Sequence, residues 1–226
     1  MSSPLKSSLA VTNANRIRDE IASINPDATL VIVTKQQTME TVRTLFDVGF
    51  RDFGENRVEQ FVERQKELPD ANWHFIGRLS RKNVAKVVGK AELIHSVGSV
   101  ELLEKIERSC DASDISNQRI LLQVNTSGEE VKQGFSLHEL REFIADFFPE
   151  KFPHMSIEGL MTMAPFTGNE AIIRTTFSAL RELRDRLNTG FGFSRTELSM
   201  GMSNDYLIAL EEGATMVRLG TVIFSQ

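Results

Sequence analysis

The sequence predicts an α/β fold: a single (β/α)8 barrel of the TIM type with an additional N-terminal helix. Three observations carry this reading. Eight short apolar runs recur along the 226 residues, the longer stretches between them have helical spacing, and no linker or composition shift divides the chain. Strands alternating with helices imply βαβ units and a parallel sheet. A doubly wound open sheet satisfies the same alternation, and periodicity alone does not separate the two.

Residues 1–10 are Ser-rich and expected to be disordered, which leaves 11–226 as one domain. A helical pattern follows from Val11 to Ile24 and stops at Asn25-Pro26-Asp27, a cluster of helix breakers. The strand candidates are Leu30–Val33, Phe50–Phe53, Trp73–Ile76, Leu93–Val97, Ile120–Val124, Ile157–Met161, Leu198–Met200 and Met216–Leu219. Between the fifth and sixth, Leu140, Phe143, Ile144 and Phe147 keep the i, i+3, i+4, i+7 spacing, and Ser136 with Glu139 forms a capping box. Ile173, Phe177, Leu180, Leu183 and Leu187 mark a second long amphipathic helix. Too few residues follow the last strand for a full eighth helix, so Val11–Ile24 is expected to cover that sector of the barrel.

Composition narrows the function classes. Net charge is −5, so no basic surface argues for nucleic acid. No stretch approaches the roughly 20 apolar residues of a membrane span, and no apolar leader is visible, so a cytoplasmic location is expected. The single cysteine, Cys110, cannot form an intrachain disulfide and reads as a structural thiol near a helix end. The four histidines show no metal-ligand spacing; His74 and His95 lie in strand-like runs and read as hydrogen-bonded core residues. GFGFS at 190–194 follows a helix rather than a strand and is no dinucleotide fingerprint, and no GxSxG elbow occurs.

Barrel active sites gather at the C-terminal ends of the strands. The first run ends on Lys35, with the strand parity of Val31 and Val33, which puts its amine at the barrel mouth if that face points inward. A solvated lysine closing a strand is one reading; a Schiff-base lysine, favoured by desolvation and nearby cations, is the other. Asn56, after the second run, is either a turn residue or a ligand contact. The seventh run leads through Ser199-Met200-Gly201-Met202-Ser203 towards a helix that Ser203 can cap, and the eighth through Arg218-Leu219-Gly220-Thr221. Loops after strands seven and eight are a common phosphate site in barrels. Arg218 needs a buried partner, either a carboxylate such as Glu158 or Asp205 or a bound ligand.

Taken in order, Val33-Thr34-Lys35, Gly49-Phe50-Arg51-Asp52-Phe53-Gly54-Glu55-Asn56, Trp73-His74-Phe75-Ile76-Gly77, Leu122-Gln123-Val124-Asn125, Gly159-Leu160-Met161-Thr162, Leu198-Ser199-Met200-Gly201-Met202-Ser203 and Val217-Arg218-Leu219-Gly220-Thr221 resemble the pyridoxal phosphate homeostasis protein family. That family is similar to the N-terminal barrel domain of alanine racemase. The resemblance spans nearly the whole chain. It implies pyridoxal 5′-phosphate (PLP) as cofactor, held as a Schiff base on Lys35. It implies that Ser199, Ser203, Gly220 and Thr221 hold the phosphate, that Arg218 faces the pyridine nitrogen, and that Asn56 lies beside the ring. The family departs from this chain at Gly77-Arg78-Leu79-Ser80-Arg81-Lys82-Asn83, where G-x-L-Q-x-N-K is usual. It departs again at Thr38, where proline is frequent and where Thr38 is expected to cap the next helix.

The implied function is PLP homeostasis: buffering PLP or delivering it to PLP-requiring apoenzymes, as a monomer with little or no turnover and no catalytic residue assigned. The alternative is a PLP-dependent amino-acid racemase or lyase. A phosphosugar-type barrel enzyme without a Schiff base is a third reading. Racemisation needs bases on both faces of the substrate. In alanine racemase-like enzymes the second base is a tyrosine from another domain. The only tyrosine here is Tyr206, expected to pack in the first turn of a helix.

Overall fold

In a computed structural model the described residues are 3–126, 133–145, 149–191 and 197–225. Eight parallel strands close into a barrel: β1 (Thr29–Val33), β2 (Asp52–Glu55), β3 (Asn72–Phe75), β4 (Leu93–Val97), β5 (Gln118–Gln123), β6 (Met155–Met161), β7 (Glu197–Ser199) and β8 (Met216–Leu219). The helices are α1 (Ser3–Ile24), α2 (Met39–Asp47), α3 (Val58–Glu67), α4 (Val84–Val87), α5 (Val100–Ala112), α6 (Leu137–Ala145), α7 (Glu170–Phe191), α8 (Tyr206–Glu211) and α9 (Thr221–Phe224). The ring closes where β1 pairs with β8, in the register Thr29↔Met216 through Ile32↔Leu219. The open-sheet alternative is thereby excluded. α4 and α9 are single turns, which explains how a barrel fits a chain shorter than the usual ~250 residues.

Local signals account for several elements. Thr38 is the N-cap of α2, its hydroxyl accepting from Thr41 N at 3.3 Å. The capping box at α6 forms in both directions: Ser136 N donates to Glu139 Oε2 at 2.8 Å and Glu139 N to Ser136 Oγ at 3.1 Å. Its predicted apolar face is buried at Leu140 and Ile144, while Phe147 lies outside the described residues. All five predicted apolar positions of α7, Ile173, Phe177, Leu180, Leu183 and Leu187, are buried. Cys110 is fully buried near the end of α5, and burial pushes its thiol up to about 11.

Within the stretch 1–10, α1 begins at Ser3, Ala10 is buried, and Ser7 Oγ lies 3.3 Å from Thr41 Oγ1 of α2. Small residues there allow close helix packing, a tertiary effect that composition hides. The second strand runs from Asp52 to Glu55 rather than from Phe50 to Phe53. Phe50 instead follows α2, with its N–H on Leu45 O, while Gly54 lies in the strand, where a small residue suits the crowded interior: a Cβ there would sit 3.1 Å from Val31 Cγ1.

α1 packs against α2, α8 and α9 and so covers the sector around β8 and β1. Its inward face is Ala10, Ala14, Ile17 and Ile21. Tyr206, the first residue of α8, ties the two helices by donating its hydroxyl to Glu20 Oε2 at 2.6 Å. Burial, then the bond to Glu20 and its charge, push the phenol up to about 12. In the unfolded chain it titrates near ~10. The folded value is the higher one, so this contribution to stability is complete below pH ~10 and is lost as pH rises through about 12. With a single tyrosine in the chain, absorbance at 295 nm isolates the group. The expected midpoint is near 12 in the native protein, returning to ~10 in denaturant; a native midpoint at ~10 contradicts the α1–α8 tie.

Candidate functional site

Lys35 lies two residues past the end of β1, and its loop is held from outside the barrel. Arg64 of α3, buried, donates to Thr34 O at 2.9 Å and to Gln37 O at 2.6 Å, bracketing the lysine on both sides. The same guanidinium lies 2.9 Å from Glu55 Oε1, which also accepts from Thr34 Oγ1 at 2.5 Å. Burial pushes the Glu55 carboxyl up, against the Thr34 bond and the Arg64 charge. Between the two held carbonyls Gln36 takes φ 65°, a left-handed conformation uncommon for a residue with a side chain. Lys35 itself is exposed, so burial does not supply the desolvation that a Schiff-base lysine invites.

The loops after β7 and β8 are tied to each other. Gly201 has φ 95°, and a Cβ there would lie 2.6 Å from Ala209 Cβ, so the tight turn requires glycine. Asp205, not Ser203, stands at the N-cap of α8, and its carboxylate accepts from Met202 N at 2.6 Å. Ser203 Oγ accepts from Val222 N at 3.3 Å, clamping the first turn of α9. Gly220 and Thr221 begin that turn.

Arg218 rises from β8 and is 5% exposed. Its Nη1 donates to Ser199 Oγ at 2.5 Å and its Nη2 to Thr162 O at 3.1 Å. Among the described residues no carboxylate pairs directly with it. Glu158 is bound to Arg119 instead, and Asp205 acts through its field alone. Burial pulls the guanidinium down to about 10, against the attraction of Asp205, so it stays cationic at neutral pH. Burial also pushes Asp205 up, opposed by the Met202 bond and by Arg218.

One cavity of about 380 Å³ gathers Lys35, Asn56, Ser203, Arg218, Gly220 and Thr221 at the C-terminal end of the barrel. That volume lies within the range of small-molecule sites. Ser199 is not among its lining residues: it is fully buried beneath Arg218, its hydroxyl shared between that guanidinium and His95 Nδ1 at 2.8 Å. The sequence reading missed the loop after β6, where Met163, Ala164, Pro165, Phe166 and Thr167 form one wall. Phe166 is 95% exposed, a strong surface signal but one visible only in three dimensions. It also missed Arg64 and Glu55, because nothing in strand periodicity announces a buried ion pair between a strand and a helix. The Arg78–Ser80 loop opens on a separate cleft beside Ser99 and Gln123. No group of three metal-ligating side chains occurs among the described residues, and no helix among them is long and apolar enough to cross a membrane.

The chain matches the family model described as alanine racemase, N-terminal domain, over residues 10–226. It is 38% identical over 201 residues to the pyridoxal phosphate homeostasis protein of Aquifex aeolicus, covering 88% of this chain and 87% of that one. The human protein of the same name is 34% identical over 227 residues, covering 94% and 80%. PipY of Synechococcus elongatus with PLP bound superimposes with a TM-score of 0.86 at 30% identity, covering 96% of this chain and 100% of that chain. Alanine racemase of Clostridium difficile shares the fold, with a TM-score of 0.76 at 13% identity over 98% of this chain and 59% of its own. With the family model matched over residues 10–226 and relatives above 30% identity over most of both chains, the chain belongs to the pyridoxal phosphate homeostasis protein family.

Proposed function

We propose that the protein binds PLP as a Schiff base on Lys35 and serves as a buffer or delivery protein for PLP-requiring apoenzymes, working as a monomer in the cytoplasm. The observation that carries the reading is the shared cavity. Lys35 is the one lysine among the described residues that line it, and it faces a donor set suited to a phosphorylated pyridine. The cavity offers an amine, a guanidinium, the hydroxyls of Ser203 and Thr221, and the backbone at Gly220. The fit extends to charge, because Arg218 stays cationic and has only N–H donors to offer.

In this reading Lys35 supplies the amine for the cofactor aldehyde, with Arg64 fixing the loop on either side of it. Ser203, Gly220 and Thr221 surround the phosphate; Ser199, which the resemblance also implied, acts one step back through Arg218. Arg218 donates to the pyridine nitrogen and Asn56 lies beside the ring. When bound, PLP supplies an electron sink, and a donor that does not readily release its proton leaves that sink weak. Tyr206 is held by Glu20 on the far side of α8 and does not line the cavity, so no second base faces Lys35 from that residue. This favours holding over turnover.

Borohydride reduction of the PLP-loaded protein followed by peptide mapping is expected to place the pyridoxyl group on Lys35, with the visible band absent from Lys35→Ala. Modification at Lys82 instead refutes the attachment. Pyridoxal, lacking the phosphate, is expected to bind at least tenfold more weakly than PLP, and Ser203→Ala to weaken PLP by up to about tenfold, the worth of one hydrogen bond; equal affinities count against the phosphate assignment. Incubation with L- and D-amino acids in deuterated water is expected to show α-proton exchange well below ~1 per second. Exchange at or above that rate moves the reading to a racemase.

A further inference from the structure

A continuous row of polar groups crosses the barrel interior from one end to the other. Asp52, the first residue of β2, is half-buried at the end opposite the cavity. Its Oδ1 is 3.1 Å from His74 Nε2; His74 Nδ1 is 2.9 Å from His95 Nε2; His95 Nδ1 is 2.8 Å from Ser199 Oγ; and Ser199 Oγ is 2.5 Å from Arg218 Nη1. Both imidazoles and Ser199 are almost wholly buried. Water cannot repair a mismatched donor or acceptor at these positions.

The chemistry of the two ends sets the direction of every bond. Arg218 has donors only, so Ser199 Oγ accepts from it. The serine hydroxyl then has one buried partner for its own proton, His95 Nδ1, which must accept. His95 therefore carries its proton on Nε2 and donates to His74 Nδ1. His74 in turn carries its proton on Nε2 and donates to Asp52. Starting instead from the carboxylate, which accepts only, gives the same sequence of donors and acceptors. A proton added to His74 Nδ1 would set N–H against N–H, or else reverse His95 and leave the Ser199 hydroxyl without an acceptor. Burial, with the charge of Arg218 beyond Ser199, keeps His95 well below the usual imidazole range, consistent with a neutral ring.

We propose that Asp52, His74, His95 and Ser199 are positioning residues that form a one-way hydrogen-bond chain, anchoring the Arg218 guanidinium at the cavity floor from the opposite end of the barrel. The chain and Thr162 O engage two of the five N–H groups of Arg218 and fix its plane, leaving the others for the cavity it lines. Its relevance to PLP rests on the reading of Arg218 given above, but its existence does not.

The test begins on PLP-free, 15N-labelled protein. Long-range 15N–1H spectra, assigned with His74→Gln and His95→Gln, are expected to show both rings as Nε2–H tautomers at neutral pH. An Nδ1–H or doubly protonated form of either ring overturns the chain. Asp52→Asn keeps an acceptor, and Asp52→Ala leaves the guanidinium end to set the direction, so both variants are expected to preserve both tautomers; a mixture in Asp52→Ala overturns the claim that Arg218 orders the chain. Ser199→Ala is expected to speed rotation of the Arg218 guanidinium, seen as collapse of separate Nη signals, and to weaken PLP about fivefold. Wild-type guanidinium dynamics in Ser199→Ala overturn the anchoring. The 15N shift of labelled PLP in Arg218→Met tests the functional reading separately: an unmoved shift removes Arg218 from the pyridine nitrogen, while the tautomers and the guanidinium signals still decide the chain.

Discussion

Pairing between β1 and β8 is the constraint on which the rest of the molecule depends. Residues near the two ends of the chain become neighbours only because Val31 stands opposite Arg218 and Ile32 opposite Leu219. In an open sheet of the same strands, Lys35 and Gly220 would sit on opposite edges. In the closed ring they share one cavity. Closure also gives every strand two partners, so no edge is left to recruit another sheet. α1 supplies what the one-turn α9 cannot, an apolar cover for the seam, with Tyr206 and Glu20 joining it to α8.

Inside the ring, space is divided between two kinds of packing. Leu93, Leu121, Met161 and Met216 form a small apolar cluster separate from the larger core between strands and helices. Beside it lie polar side chains that reach across from β2, β3 and β4 to β7 and β8. A guanidinium in such a place costs several kcal/mol in desolvation unless its donors are matched. Here the match comes from a hydroxyl and a carbonyl rather than from a carboxylate in contact. A contacting carboxylate would neutralise the cation; neutral acceptors hold its position and leave its charge to act on whatever enters the cavity.

Much of this was legible in the sequence because it follows from periodicity. The order of strands, the face of α7, the capping box of α6 and the role of Thr38 all rest on rules that operate within one or two turns. What escaped were features that arise between distant segments. Ser199 lies in a motif next to the phosphate-type loop, yet its strand parity turns it inward to Arg218 and His95. Apolar periodicity places the second strand two residues early because Gly54 and Glu55 carry no apolar signal, yet both lie in β2, Gly54 where a Cβ would crowd Val31 and Glu55 in an ion pair with Arg64. The first turns of α1 have no strong apolar periodicity, and their order comes from packing on α2. His74 and His95 were legible as core residues, not as members of one row, since a strand pattern carries no information across the barrel axis.

The seam between first and last strands also bears on how the chain is made. Synthesis runs from the N-terminus, so β1 leaves the ribosome long before its partner Met216–Leu219 exists. Until then β1 and β7 are open edges, and the apolar face of α1 lacks both α8 and α9. Contacts so distant in sequence close slowly, and partly formed barrels of this kind expose surface that aggregates. The cavity cannot exist before β8 has been made, because Arg218, Gly220 and Thr221 come from that strand and the turn after it. Any ligand bound there meets only molecules in which β8 has joined the ring, and a chain interrupted before β8 has no pocket with which to withhold it.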